Sequence, residues 1–122
     1  MTKKILIVDD SKAMRLLIRR SLREAGYGEH TFFEASNGLE ALDLIKANGP
    51  DLVLLDWNMP GMTGIELLAK LKQDGLRARC GMITTETSPE MANRAFEAGA
   101  LFVIKKPFTT EILETTLRRA LG

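Results

Sequence analysis

Five short apolar runs punctuate the chain, and each gives way to polar residues before the next stretch of helical spacing. The most decisive is Leu52-Val53-Leu54-Leu55, with Gly49-Pro50-Asp51 in front of it and Asp56 behind. A continuous apolar run of this length between turn signals predicts a strand buried on both faces. The chain then passes through Trp57-Asn58-Met59-Pro60-Gly61, whose composition marks a loop. The first run, Ile5-Leu6-Ile7-Val8, has the same grammar and ends in Asp9-Asp10-Ser11. Residues 30–35, 80–84 and 100–105 supply three further expected strands, the last followed by Lys106.

The segments between these runs read as helices. Ser11 is placed to cap the first, with Met14, Leu17, Ile18, Ser21, Leu22 and Ala25 on an inner face. Arg15, Arg19, Arg20, Arg23 and Glu24 fall on the other face, which reads as solvated, and Gly26 and Gly28 end the helix. Leu39, Leu42 and Ile45 mark a second helix, and Ile65, Leu68 and Leu71 a third that stops at Asp74-Gly75. Ser88-Pro89-Glu90 combines a capping serine, a proline at the first helical position and an acid at the positive helix end, so it starts a fourth. Thr109 or Thr110 caps a last helix carrying Ile112, Leu113, Thr116, Leu117, Ala120 and Leu121. Five strands alternating with five helices on short connections predict one doubly wound α/β domain with a mostly parallel sheet and helices on both faces.

Composition narrows the function. A chain of 122 residues, 45% hydrophobic and 27% charged, is sized for one globular core, and one domain spanning 1–122 with no effector domain is expected. Its formal net charge of +1 gives no general attraction to nucleic acid or an anionic membrane. No apolar stretch approaches a membrane span and Met1-Thr2-Lys3-Lys4 has no signal-peptide character, so a cytoplasmic location is expected. Cys80 is the single cysteine, which excludes an internal disulfide and a cysteine metal cluster. His30 has the simple reading of a strand or surface residue. Trp57 reads as a rim residue packed on loop atoms, and Met59, Met62, Met82 and Met91 as gap-filling residues. Arg77 and Arg79, in the basic stretch 75–81, read as solvent-facing loop charges.

The strand ends carry the chemistry. In a parallel sheet Asp9, Asp10, Asp56, Thr84 and Lys106 lie along one edge. If the first and third strands are neighbours, as in the order 2-1-3-4-5, the three carboxylates converge at the switch point where open α/β sheets bind ligands. Two unit charges ~4 Å apart repel by about 4 kcal/mol at an effective dielectric of 20. Either a carboxylate takes a proton or a cation enters. Oxygen-only ligands with room for water suit Mg²⁺, and the lack of nearby Cys and His argues against Zn²⁺. A carboxylate can itself attack phosphorus and form an acyl phosphate. Asp56 is then the candidate nucleophile, Lys106 a point charge and Thr84 a hydrogen-bond donor. An aspartate-nucleophile phosphatase is the enzyme alternative, but in Asp56-Trp57-Asn58 the second position cannot protonate a leaving group. A flavin-binding domain is disfavoured because Asp9-Asp10 would repel a phosphate.

The stretches VDDS after the first strand, DWNMPGMTG after the third, Thr84 ending the fourth, EAGA before the fifth and KPFT after it resemble the receiver domain of two-component response regulators over essentially the whole chain. Within that family they look most like its stand-alone, chemotaxis-type (CheY-like, flavodoxin-like) members. The resemblance implies that Asp56 is the phosphoacceptor, that Asp9, Asp10, Asp56 and the Asn58 carbonyl bind Mg²⁺, that Lys106 contacts the phosphoryl group and that Thr84 moves toward it. It implies a cis Lys106–Pro107 bond, and roles for Asn58 and Glu86 in tuning dephosphorylation. The implied donor is a sensor histidine kinase or phosphotransfer domain. The implied output is contact with a downstream protein, such as a flagellar motor switch, without direct nucleic-acid or membrane binding, and without enzymatic turnover beyond the domain's own phosphorylation and dephosphorylation. A single-domain receiver in another phosphorelay and a phosphorylation-independent docking module are the alternatives. Family members usually carry an aromatic residue three before the lysine; here that position is Val103, with Phe102 expected on the opposite face.

Overall fold

The computed structural model describes residues 2–85 and 87–121. Five strands, β1 (Lys4–Val8), β2 (Thr31–Ala35), β3 (Leu52–Leu55), β4 (Arg79–Thr84) and β5 (Ala100–Lys105), form one parallel sheet in the order β2-β1-β3-β4-β5. The helices are α1 (Lys12–Leu22), α2 (Gly38–Asn48), α3 (Gly64–Gln73), α4 (Pro89–Glu97) and α5 (Thr110–Leu121). α1 runs into a wider π-type turn, Arg23–Tyr27, where Gly26 takes a φ of 96° that a side chain would resist.

Strand alternation splits the core into two layers. Ile5 and Ile7 of β1 and Leu52 and Leu54 of β3 face Ile18 and Leu22 of α1 and Leu113 and Leu117 of α5. Leu6, Val8, Val53 and Leu55 face the other way, toward α2, α3 and α4 through Leu42, Ile45, Leu67, Leu68, Leu71 and Ala95. All four residues of β3 are buried, as expected of a central strand covered on both faces. Each fully buried aliphatic side chain contributes roughly 1.5–3 kcal/mol of transfer free energy, so this sheet is the rigid base from which the loops project.

Helix starts follow their capping residues. Ser11, Asn37, Thr63 and Ser88 accept from the backbone N–H three residues on, and Thr63 with Glu66 forms a reciprocal capping box. Thr109 rather than Thr110 caps α5, accepting from the Ile112 N–H. The apolar faces are narrower than the sequence spacing predicts. Leu17, Leu39 and Ile112 are 48%, 66% and 51% exposed. Leu17 and Ile112 each lie one residue, about 100° of turn, from the stripe that meets the sheet, and Leu39 sits in the first turn of α2.

β5 carries a register irregularity opposite Gly81, since Cys80 pairs Ala100 while Met82 pairs Val103. The Phe102 ring lies over Gly81: a Cβ there would stand 2.0 Å from its Cζ. Phe102 packs in the α1/α5 layer and Val103 in the other, so the two point to opposite faces as strand alternation predicts. The Lys106–Pro107 bond is cis. Met82 and Met59 are buried in the α2/α3/α4 layer, with Met62 and Met91 packed against it. No helix among the described residues is long and apolar enough to cross a membrane.

Candidate functional site

The parallel ladder continues one residue beyond the strands, and this aligns the functional tips. The Asp9 N–H donates to the Ala35 carbonyl, the Asp56 N–H to the Val8 carbonyl and the Lys106 N–H to the Thr84 carbonyl, at 3.1, 3.0 and 3.0 Å. β1 and β3 are neighbours with Val8 opposite Leu55, so Asp9 and Asp56 leave the sheet side by side. Asp9, Asp10 and Asp56 each offer an oxygen within 4.8 Å of the others. Asp9 is 2% exposed, Asp56 is half-buried and Asp10 is open to solvent. An all-oxygen set with one solvent-facing side fits a hard divalent cation that keeps some of its waters, such as Mg²⁺.

Lys106 reaches across from the end of β5. Its Nζ donates to Asp9 Oδ2 at 2.8 Å and stands 3.4 Å from Asp56 Oδ2. Asp9 Oδ1 also accepts from the Ser11 N–H at 2.9 Å, so the residue read as a helix cap orients the acid as well. Thr84 is fully buried at the end of β4, where its side chain is one of the groups that favour the ionised Asp56 carboxylate. Burial pushes the Asp56 carboxyl above its ordinary value; Lys106 opposes this, Asp9 reinforces it, and the Thr84 side chain opposes it again. The structure therefore gathers Asp9, Asp10, Asp56, Thr84 and Lys106 at one edge. Asn58 is exposed on the loop two residues beyond Asp56. Glu86 lies outside the described residues.

The loop after β3 is held from below by α3. The Gly64 N–H donates to the Trp57 carbonyl at 2.8 Å, and a Cβ on Gly64 would stand 2.4 Å from the Asp56 carbonyl oxygen. Two sequence expectations change here. Trp57 is not a rim residue but is buried in the α2/α3/α4 layer, with the Arg94 guanidinium of α4 5.4 Å from its ring centroid. Arg15 is not on a solvated face. It turns inward, donating to the Asp9 carbonyl and to Glu34 of β2. Glu34 was the available signal, as the one acid inside the expected strand 30–35. His30 stands as a satisfied surface residue, its Nδ1 accepting from the Lys3 N–H. Cys80 is a core thiol, pushed up to about 12 by burial. Arg77 and Arg79 are exposed as expected, but Arg79 opens β4 rather than lying in the loop and donates to the Ala120 carbonyl of α5.

The sequence profile of the response regulator receiver domain matches residues 5–118. The chain belongs to the response regulator receiver domain family. Among curated relatives, this receiver domain is 38% identical over 121 residues to sporulation initiation phosphotransferase F of Bacillus subtilis, covering 99% of this chain and 95% of that one. It is 39% identical over 122 residues to chemotaxis protein CheY1 of Helicobacter pylori, covering 98% and 97%. The solved structure of Vibrio cholerae chemotaxis protein CheY4 superposes with a TM-score of 0.87 at 34% identity, over 98% of this chain and 99% of that one. The receiver domain is thus a module of two-component signalling, with relatives in chemotaxis and in sporulation.

Proposed function

We propose that this receiver domain is a phosphoacceptor switch in which Asp56 takes a phosphoryl group from a histidine kinase or phosphotransfer domain and the phosphorylated chain signals by protein contact. The observation that carries this reading is the convergence of three carboxylates, a lysine and a threonine hydroxyl at one sheet edge. An Asp56 oxygen attacks phosphorus in line. The O–P bond forms as the P–N bond to the donor imidazole breaks, and that nitrogen takes up a proton. Asp9, Asp10, Asp56 and the Asn58 carbonyl are the residues that would hold Mg²⁺. When bound, the ion neutralises phosphoryl oxygens and the acid cluster. Lys106 is poised to exchange its bond with Asp9 for one with a phosphoryl oxygen, and the Thr84 hydroxyl is at hand for another. The domain turns over only its own phosphorylation and hydrolysis and works in the cytoplasm.

The likeness to CheY proteins favours a chemotaxis or motility output, with a motor-switch protein as target. A relay role is the second reading, favoured by the comparable likeness to a sporulation phosphotransferase and by Val103 where chemotaxis regulators usually carry an aromatic residue. Intact-mass spectrometry after incubation with acetyl phosphate and Mg²⁺ tests the proposal. One added phosphoryl group is expected on the wild type and none on Asp56→Asn or in the presence of chelator. Equal labelling of Asp56→Asn would refute the assignment of Asp56. Return of the group to a phosphotransfer domain faster than hydrolysis would select the relay.

A further inference from the structure

Asp9 is restrained at each of its polar groups. Its N–H is held by Ala35, its two carboxylate oxygens by Ser11 and Lys106, and its carbonyl by Arg15. In the last restraint a side chain holds the Asp9 backbone carbonyl. Arg15 Nη1 donates to the Asp9 carbonyl at 2.6 Å while Nε donates to Glu34 Oε1 at 2.9 Å. The other Glu34 oxygen accepts from Arg19 Nη1 at 3.0 Å. Arg15 is only 14% exposed, so these charge-assisted bonds are sheltered from water. The carbonyl it grips belongs to the peptide joining Asp9 to Asp10, and the plane of that peptide sets the directions in which the two carboxylates leave the chain.

We infer that Arg15, clamped by Glu34, is a positioning residue that fixes the Asp9–Asp10 peptide so that both carboxylates can serve one divalent cation. This rests on the proposed function, which makes that cation the ligand of the acid pair. Two physical effects of Arg15 on such an ion have opposite signs. As a nearby positive charge it repels the cation, so deleting it would tighten binding. As a clamp it preorganises two ligands, so deleting it weakens binding. Outer partners that orient ligands typically change metal affinity roughly 10–100-fold. A lysine keeps the charge but lacks the planar fork that spans two acceptors on different strands. Arg19 shares Glu34 but does not touch Asp9, which makes it the control.

Isothermal titration of Mg²⁺ into the full chain decides between these signs. Arg15→Ala is expected to raise the Kd roughly tenfold, Arg15→Lys to raise it severalfold, and Arg19→Ala to leave it within about twofold of wild type. Circular dichroism establishes that each variant is folded; should Arg15→Ala fail, Arg15→Lys carries the test alone. A Kd for the Arg15 variants equal to or below that of wild type would overturn the inference, as would equal weakening by Arg19→Ala, which would point to general loosening of α1. Absence of Mg²⁺ binding by the wild type would instead refute the proposed function, and the inference with it.

Discussion

At Asp56, burial and charge oppose each other within one side chain. Taking the carboxylate out of water raises its pKa, as does Asp9, while Lys106 and Thr84 favour the ionised form without fully compensating. Between the ordinary carboxylate value of 3.8 and the raised one, the folded chain keeps a proton that the unfolded chain has released. Stability therefore falls as pH rises through that window. Asp56→Asn removes the uncompensated charge, so it is expected to raise Tm at neutral pH without divalent metal. The gain should disappear on acidification below the ordinary carboxylate range, where Asp56 is protonated in both states. Thermal melts across pH check this; a variant less stable than wild type at neutral pH, or a gain independent of pH, would contradict it.

At the level of elements, the site depends on how closely α3 presses on the loop after β3. Gly64→Ala places a methyl group against the Asp56 carbonyl, and the loop must shift. A cost of about 1–3 kcal/mol is expected from such overpacking, together with slower phosphoryl uptake because Asp56 moves with its backbone. Thr63→Ala is the comparison: it removes the α3 cap at a cost of about 1 kcal/mol but leaves the loop contact in place, so uptake should stay near wild type. Urea melts and labelling rates read the two effects separately, and wild-type uptake by Gly64→Ala would show that the contact is immaterial. The strands and helix starts were legible because they depend on neighbours in sequence: the uninterrupted run of β3, the caps at Ser11 and Ser88, the glycines after α1. Leu17, Leu39 and Ile112 were misjudged because helical spacing identifies an apolar stripe but not how wide a stripe the sheet covers. Arg15 and Trp57 were misplaced because their partners, Glu34 and Arg94, lie far away along the chain. The irregularity in β5 depends on Gly81 leaving room for Phe102, a match between strands that neither segment reveals alone.

At the scale of the whole molecule, a sheet buried between two layers of helices delivers residues from β1, β3, β4 and β5 to a single edge, and the parallel ladder sets their relative heights. The acids were recognisable from sequence as strand-ending carboxylates; their meeting required the order 2-1-3-4-5, which sequence pattern left as an assumption and the fold now supplies. Lys106 pairs with the buried Asp9 and lies beside Asp56, so a ligand on Asp56 must compete for the lysine. The most direct test is a crystal structure of the full chain with Mg²⁺ and beryllofluoride, a mimic of a phosphoryl group on a carboxylate. The expected result is the fluoride adduct on Asp56, a metal ion touching Asp9, Asp10 and Asp56, and Lys106 turned from Asp9 toward the adduct. A bare Asp56 at saturating reagent, with the three acids apart and Lys106 still on Asp9, would contradict the central claim.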